Sequence, residues 1–530
     1  MSVDIQTDAL LRYRNRFPIL KRTKYLVSHS LGAMPEATRE ALNEYADLWA
    51  SRGVRAWGDK WWMMSIEIGD IIAPLIGAPR GSVVMLPNVT TAEAVVLSSF
   101  EYQAPRNRVV IVEGEFPSVR YIYDRLARRL GAEIVNIPHD ASGLGFDLDR
   151  LLSAIDERTQ IVPIGHVLFE SSFMIDVEAI AQRCREVGAT LVLDVFQSAG
   201  IVPVKVREWD APIAVGGVLK WLCGGPGGSF LYVDPALRPK LEPSFTGWMA
   251  HANPFGFEAP PMRFRDDALR FALGTPPIPA LYAAREGPRI IAEADILAIR
   301  EKSLRQTQKI IDLADARGFE LRTPREAERR GGSVSMRIPH GLEVSKELNA
   351  EDIVCDFRPA SGVRFSPHFY TTDEEIEEAF SVVDDILRTG LLPSAFCLLP
   401  SRPAFCLQPS SRRSAVAAVG RRRGATGVAR RLAGAARAFY RRAGPYRADG
   451  SAPGAFPAGR CAGLALQPID QSANIRIHDS GTTAGRRPIQ RHRCASRGRG
   501  AALQPRCDPA LPGVEPGRDR ESICAAARGE

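Results

Sequence analysis

Between residues 108 and 234 short, nearly continuous apolar runs alternate with amphipathic stretches, and this alternation narrows the possible folds more than any other feature. RVVIVEG (108–114), AEIVNIP (132–138), QIVPIGHVLF (160–169), ATLVLD (189–194), APIAVGG (211–217) and SFLYVD (229–234) read as strands. SVRYIYDRLARRL (118–130), DLDRLLSAI (147–155) and DVEAIAQRCREVG (176–188) read as the helices between them. A strand with no polar alternation must be buried on both faces. A sheet achieves that when crossover helices cover it, so the pattern predicts a mainly parallel α/β domain. Ligands of such sheets bind beyond the carboxyl ends of the strands.

The same reading extends outward. Residues 36–52 have helical periodicity and VVML (83–86) is a short strand. A Pro- and Gly-rich connection (275–288) leads into one long helical pattern over 290–318. Short strands near FELRT, GSVSMRI and GVRFSP and a closing helix over 373–390 then predict a smaller α+β domain. The expected organisation is an N-terminal segment (1–35), a large domain (36–288), a small domain (289–390) and a tail (391–530).

Charge separates the tail from the rest. Residues 391–530 hold 24 Arg, no Lys and 8 acidic residues. Taking these from the 69 basic and 61 acidic residues of the chain leaves 45 and 53, so a formal +8 hides an acidic front and a basic back. An Arg/Ala/Gly/Pro-rich composition without periodicity predicts a disordered segment or a frame-shifted translation. Its functional rival is a basic arm for nucleic acid, although no nucleic-acid fold motif accompanies it. Cys184, Cys223 and Cys355 in the front and the six tail cysteines lack metal-site or disulfide-framework spacing, so no metal is expected. No apolar run reaches the roughly 20 residues that span a bilayer. A soluble, cytoplasmic protein is the expectation.

Two residues carry the chemistry. Asp194 closes the apolar run of 189–194, and Lys220 lies between APIAVGG and the glycine cluster GGPGG. A lysine at the mouth of a sheet can form a Schiff base when burial supplies its neutral amine. A carboxylate nearby can hold a pyridinium nitrogen protonated, a pairing that pyridoxal phosphate chemistry requires. No G-x-G-x-x-G opens the first strand–helix turn, which argues against a nicotinamide cofactor.

These residues sit in more specific motifs. D-x-x-Q-S-A-G (194–200), and the lysine followed by an aromatic and G-G-P-G-G, resemble the aminotransferase class V family of pyridoxal phosphate (PLP) fold type I enzymes. Within that family the pattern from Tyr25 to Gly390 is similar to kynureninase and its bacterial kin. The resemblance implies a large domain with a seven-stranded sheet, pyridoxal 5'-phosphate as cofactor, and a homodimer with shared active sites. It implies Lys220 as the Schiff-base lysine, Asp194 as partner of the pyridine nitrogen and Gln197 as donor to the ring oxygen. Val89 and Thr90 in PNVTTAEA would hold the phosphate, Phe116 in EGEFPSVRY would stack on the ring, and Ser118 would lie close by. Trp248 in TGW and Thr275 in GTPP would reach the cofactor of the other subunit. Arg364 in DFRPASGVRFSP would clamp a substrate carboxylate, and Ser30 in SLG would belong to a substrate loop. His166 matches a region near the ring, His29 adjoins the substrate loop, and Cys223 reads as a buried apolar residue.

Where kynureninase has His, Tyr, Asn and Asn, this chain has Gln197, Leu219, Thr275 and His29. The implied activity is kynureninase-like C–C hydrolysis of a small amino acid through an external aldimine. The alternatives are class V transamination, cysteine desulfurase or lyase chemistry, and a non-catalytic PLP-fold protein that binds nucleic acid through its tail.

Overall fold

The computed structural model describes residues 8–389. The tail, with the expectations attached to it, lies outside the described residues. In chain order the strands are β1 (Lys24–Tyr25), β2 (Val83–Leu86), β3 (Arg108–Val112), β4 (Glu133–Ile137), β5 (Thr159–Gly165), β6 (Thr190–Asp194), β7 (Ile213–Gly217), β8 (Ser229–Val233), β9 (Glu320–Leu321), β10 (Val334–Arg337), β11 (Ile353–Val354), β12 (Asp356–Arg358) and β13 (Gly362–Phe365). The helices are α1 (Ala37–Arg52), α2 (Met64–Ile72), α3 (Val89–Leu97), α4 (Pro117–Ile122), α5 (Leu148–Ala154), α6 (Val177–Val187), α7 (Ile278–Ala283), α8 (Glu286–Ala294), α9 (Ile296–Asp315), α10 (Gly341–Ala350) and α11 (Asp373–Thr389).

Seven strands form one sheet in the order β2-β8-β7-β6-β5-β3-β4. All neighbours from β7 to β4 are parallel, while β8 runs antiparallel to both β7 and β2. β2 therefore points the same way as β7, and six strands end on one edge. The sheet is buried on both faces, as its unbroken Val/Ile/Leu runs require. Leu191, Leu193 and Ile164 join one apolar cluster, whereas Val192, Ile161 and Val215 join the other.

A smaller C-terminal domain holds an antiparallel sheet in the order β12-β13-β10-β9. Its core combines Ile310 and Ile311 of α9, Val344 and Leu348 of α10 and Ile376 and Phe380 of α11. The N-terminal segment joins this core, because β1 pairs with β11 and Leu26 is buried there.

The long helical pattern of 290–318 is two helices. Asp295, at φ 67°, breaks it, and its carboxylate caps α9 by accepting the Leu297 N–H at 3.1 Å. Both helices bury an apolar face, so periodicity runs across a reversal that occupies one residue. The connection of 275–288 likewise contains α7 and the start of α8.

Candidate active site

The carboxyl edge of the large sheet gathers residues that are far apart in sequence. β2 leads into α3, β3 into Glu115 and Phe116, β6 ends on Asp194, and β7 leads into Lys220. They enclose a cavity of about 120 Å³ lined by Val89, Phe116, Asp194, Gln197, Leu219 and Lys220, with Glu115 and Phe169 beside them. Six of the residues singled out from the sequence thus line one cavity.

Lys220 is half-buried and makes no ion pair among the described residues. Its Nζ lies 4.6 Å from the Phe196 ring centre and 5.6 Å from that of Phe116. Burial pushes the amine down to about 8, against the pull of Asp194. Asp194 is pushed up to about 6 by the same burial, opposed by the Phe196 N–H, which donates to Oδ1 at 2.8 Å, and by Lys220. Desolvation brings both groups close to neutral pH, where each can exchange a proton.

Trp221, buried directly after the lysine, fixes Gln197. Its indole N–H donates to Gln197 Oε1 at 3.1 Å, which makes Nε2 the donor end of the amide. One N–H of Nε2 reaches the His29 carbonyl at 3.2 Å, and the second remains for the cavity. The 30–32 segment packs on the lysine turn, with the Gly32 N–H donating to the Leu219 carbonyl at 2.9 Å. A Cβ on Gly32 would lie 2.1 Å from the Lys220 carbonyl oxygen, so only glycine permits this approach. Ser30 is thereby held next to the turn, its N–H bonded to the Val27 carbonyl at 2.9 Å.

The phosphate-type end of the cavity is the start of α3. Asn88 caps it by accepting the Thr91 N–H at 2.9 Å, which leaves the Val89 and Thr90 amides as first-turn donors. Thr90 follows the lining Val89 and Ser118 lies two residues beyond the lining Phe116, each in the first turn of its helix, and neither lines the cavity itself.

Arg364 is buried on β13, directly across from Asp356 on β12. Its Nε and Nη2 donate to the two Asp356 oxygens at 2.8 and 2.7 Å, and Nη1 donates to the Phe169 carbonyl at 2.9 Å. Of five guanidinium N–H groups, two then remain, one on each Nη. His29 completes this cluster through Asp356 at 3.1 Å and Ser366 at 2.5 Å. Burial alone would raise the Asp356 carboxyl, but the bonds from His29 and Arg364 hold it well below the usual carboxylate range.

Trp248 and Thr275 do not line this cavity. Their two segments meet each other instead, through the Met249 N–H and the Leu273 carbonyl at 3.2 Å. Trp248 there is 39% exposed, among Trp62, Phe255 and Phe257. His166 also points away from the cavity. Its ring lies 5.0 Å from Trp209, and burial pushes it down to about 3. Cys223 is buried, its thiol pushed up to about 12 by desolvation. Reasoning from sequence missed Glu115, Phe169 and Phe196 in the cavity wall and Asp356 behind Arg364. Each of Glu115 and Phe196 follows a parallel strand within a few residues, which is the one local signal available.

The family described as aminotransferase class V matches residues 25–378. Kynureninase of Pseudomonas fluorescens is 32% identical over 73% of this chain and 94% of that protein. Kynureninase of Burkholderia pseudomallei (strain 1106a) is 31% identical over 72% and 93%. Among solved structures, the apo cysteine desulfurase of Thermococcus onnurineus NA1 shares the fold, with TM-score 0.64 at 22% identity over 73% of this chain and 99% of that one. The chain belongs to the aminotransferase class V family, as a pyridoxal-phosphate-dependent enzyme of fold type I that acts on an amino acid.

Proposed function

We propose that this enzyme hydrolyses the Cβ–Cγ bond of a kynurenine-class amino acid. The observation that carries the reading is similarity to kynureninases over more than nine-tenths of their length, at 31–32% identity. The donor set suits the cofactor. An apolar cavity with a suppressed lysine, a carboxylate, an amide donor, an aromatic face and a helix N-terminus has a partner for each polar group of pyridoxal phosphate. When bound, that group supplies the electron sink conjugated with the substrate α-carbon.

In this reading Lys220 would hold the coenzyme aldehyde, and its amine would move the proton at the substrate α-carbon. Asp194 holds the ring nitrogen, Gln197 the ring oxygen, and Val89 and Thr90 the phosphate, with Ser118 alongside. Phe116, 42% exposed and lining the cavity, offers a stacking face. The two remaining Arg364 N–H groups receive the substrate carboxylate, and Asp356 and Phe169 keep the guanidinium oriented for it. Ser30 lines the substrate side of the lysine turn. Trp248 and Thr275 belong to an interface with a second copy of the chain, a reading supported by the exposed aromatic group of Trp248, Phe255 and Phe257.

Desulfuration or elimination at Cβ is the second reading, favoured by Gln197 and by Leu219, which has no proton to give. Against a cysteine nucleophile, the three cysteines among the described residues are all buried, with thiols raised to about 12. The test is protein loaded with pyridoxal phosphate and offered kynurenine, 3-hydroxykynurenine, cysteine and common amino acids. Anthranilate or its hydroxy form appearing with alanine is the expected result. Sulfide, or keto acid without C–C cleavage, would replace the proposal with the second reading or with transamination.

A further inference from the structure

The floor of the cavity holds more acid than the cofactor needs. Asp194 ends β6, and its register partner on β5 is Gly165. Glu115, just beyond β3, is 4% exposed, and its Oε1 accepts the Gly165 N–H at 2.7 Å. Its two oxygens lie 3.4 and 3.6 Å from where a Gly165 Cβ would stand, so the carboxyl sits over the residue paired with Asp194. No cation forms an ion pair with it among the described residues; the nearby Arg120 donates to the Glu113 carbonyl at 2.6 Å instead. The other titratable groups facing this floor are Lys220 from the turn after β7, Glu93 from α3 and His139 from beyond β4. Glu93 is itself buried and accepts the Tyr123 hydroxyl at 2.8 Å.

Two neighbouring carboxyls in a dry site do not ionise together, and the one less deeply buried and nearer an ammonium keeps the charge. Both accept backbone N–H groups, Asp194 that of Phe196 and Glu115 those of Gly165 and Phe116, but Lys220 faces Asp194 while Glu115 is the drier of the two, 4% exposed against 9%, so the proton falls to Glu115. We propose that Glu115 is a positioning residue acting through Asp194: it keeps a proton on the cavity floor, leaving Asp194 as the single anion there. When base removes that proton, a second negative charge appears on the cavity floor beside Asp194. The direction of the shifts agrees, since burial takes Glu115 to about 8 but Asp194 only to about 6. A neutral Glu115 carboxyl presents an acceptor to Gly165 and one O–H donor, and a glutamine amide supplies both an acceptor and a donor. The inference rests on the reading of Asp194 as partner of the ring nitrogen.

The experiment is a base titration of holoenzyme, following the visible coenzyme band and the infrared absorption of protonated carboxyls. The unsubstituted protein is expected to show a spectral step near pH 8, with protonated-carboxyl absorption lost in the same range. The Glu115→Gln variant should keep the neutral-pH spectrum and lose the step, while Glu93→Gln should retain it. A step that survives in Glu115→Gln, or a neutral-pH spectrum altered in that variant, overturns the proposal. Should Glu115→Gln not fold, the Glu93→Gln holoenzyme decides. Above pH about 6, where Asp194 is ionised, it must still show a protonated carboxyl that titrates with the coenzyme band. An Asp194→Asn variant with an unchanged coenzyme spectrum would instead remove the ring-nitrogen reading, leaving the infrared band of Glu115 as an independent observation.

Discussion

Burial acts on Lys220 and on its acidic neighbours in opposite senses, because desolvation penalises whichever form is charged. For the lysine this yields a neutral amine at accessible pH, and for Glu93 and Glu115 it yields neutral acids. Lys220→Ala is expected to leave the fold intact, to abolish borohydride-trapped coenzyme and to lower turnover by about 10²–10⁴-fold. A trapped adduct on another lysine would refute the assignment. Glu93, raised from 4.5 to about 8 chiefly by burial, keeps its proton on folding. Its contribution to stability is complete below pH 4.5 and is lost as the pH rises through 8. The apoprotein should therefore weaken over that window, and Glu93→Gln, which preserves an acceptor for Tyr123, should weaken less; urea midpoints at several pH values measure this. The placement of Lys220 and Asp194 in the cavity was legible because a lone charge closing an apolar run stands where a buried strand reaches the ligand edge of its sheet. Glu115 was not. Glu113, two residues earlier in EGEF, is exposed while Glu115 is buried, and nothing local separates them.

Among the elements, α3 connects local sequence to the site most directly. Its first turn depends on Asn88, whose side chain satisfies the Thr91 amide and leaves the two preceding amides directed outward. Asn88→Ala is expected to cost about 1 kcal/mol in unfolding free energy and to weaken coenzyme binding through the frayed turn. An unchanged urea midpoint with unchanged coenzyme affinity would count against that role for α3. The strands of the large sheet were readable from their apolar runs. The division between α8 and α9 was not, because Asp295 lies in a sequence whose apolar spacing is continuous. Arg364 illustrates the same limit in the small sheet. Its side chain was identifiable, but its cross-strand partner Asp356 depends on the β12–β13 register.

At the scale of the molecule, the site exists because β2, β3, β5, β6 and β7 point the same way and end on one edge. Trp248 lies outside that convergence, in an exposed aromatic group suited to a second subunit. Trp248→Glu is expected to shift the protein from two chains to one in sedimentation and to lower coenzyme affinity together with it. A variant that stays dimeric, or a monomer with full affinity, would separate Trp248 from both roles.

The amino-acid sequence alone determined the class of fold and the acid–amine pair, since apolar runs, helical spacing and lone charges at strand ends are local properties. Tertiary structure decided which strands are neighbours, which of two nearby glutamates is dry, and which carboxylate holds Arg364. The first two depend on contacts between segments far apart in the chain, and the third on the register of two adjacent strands. Burial and electrostatic coupling arise only once the segments are packed together.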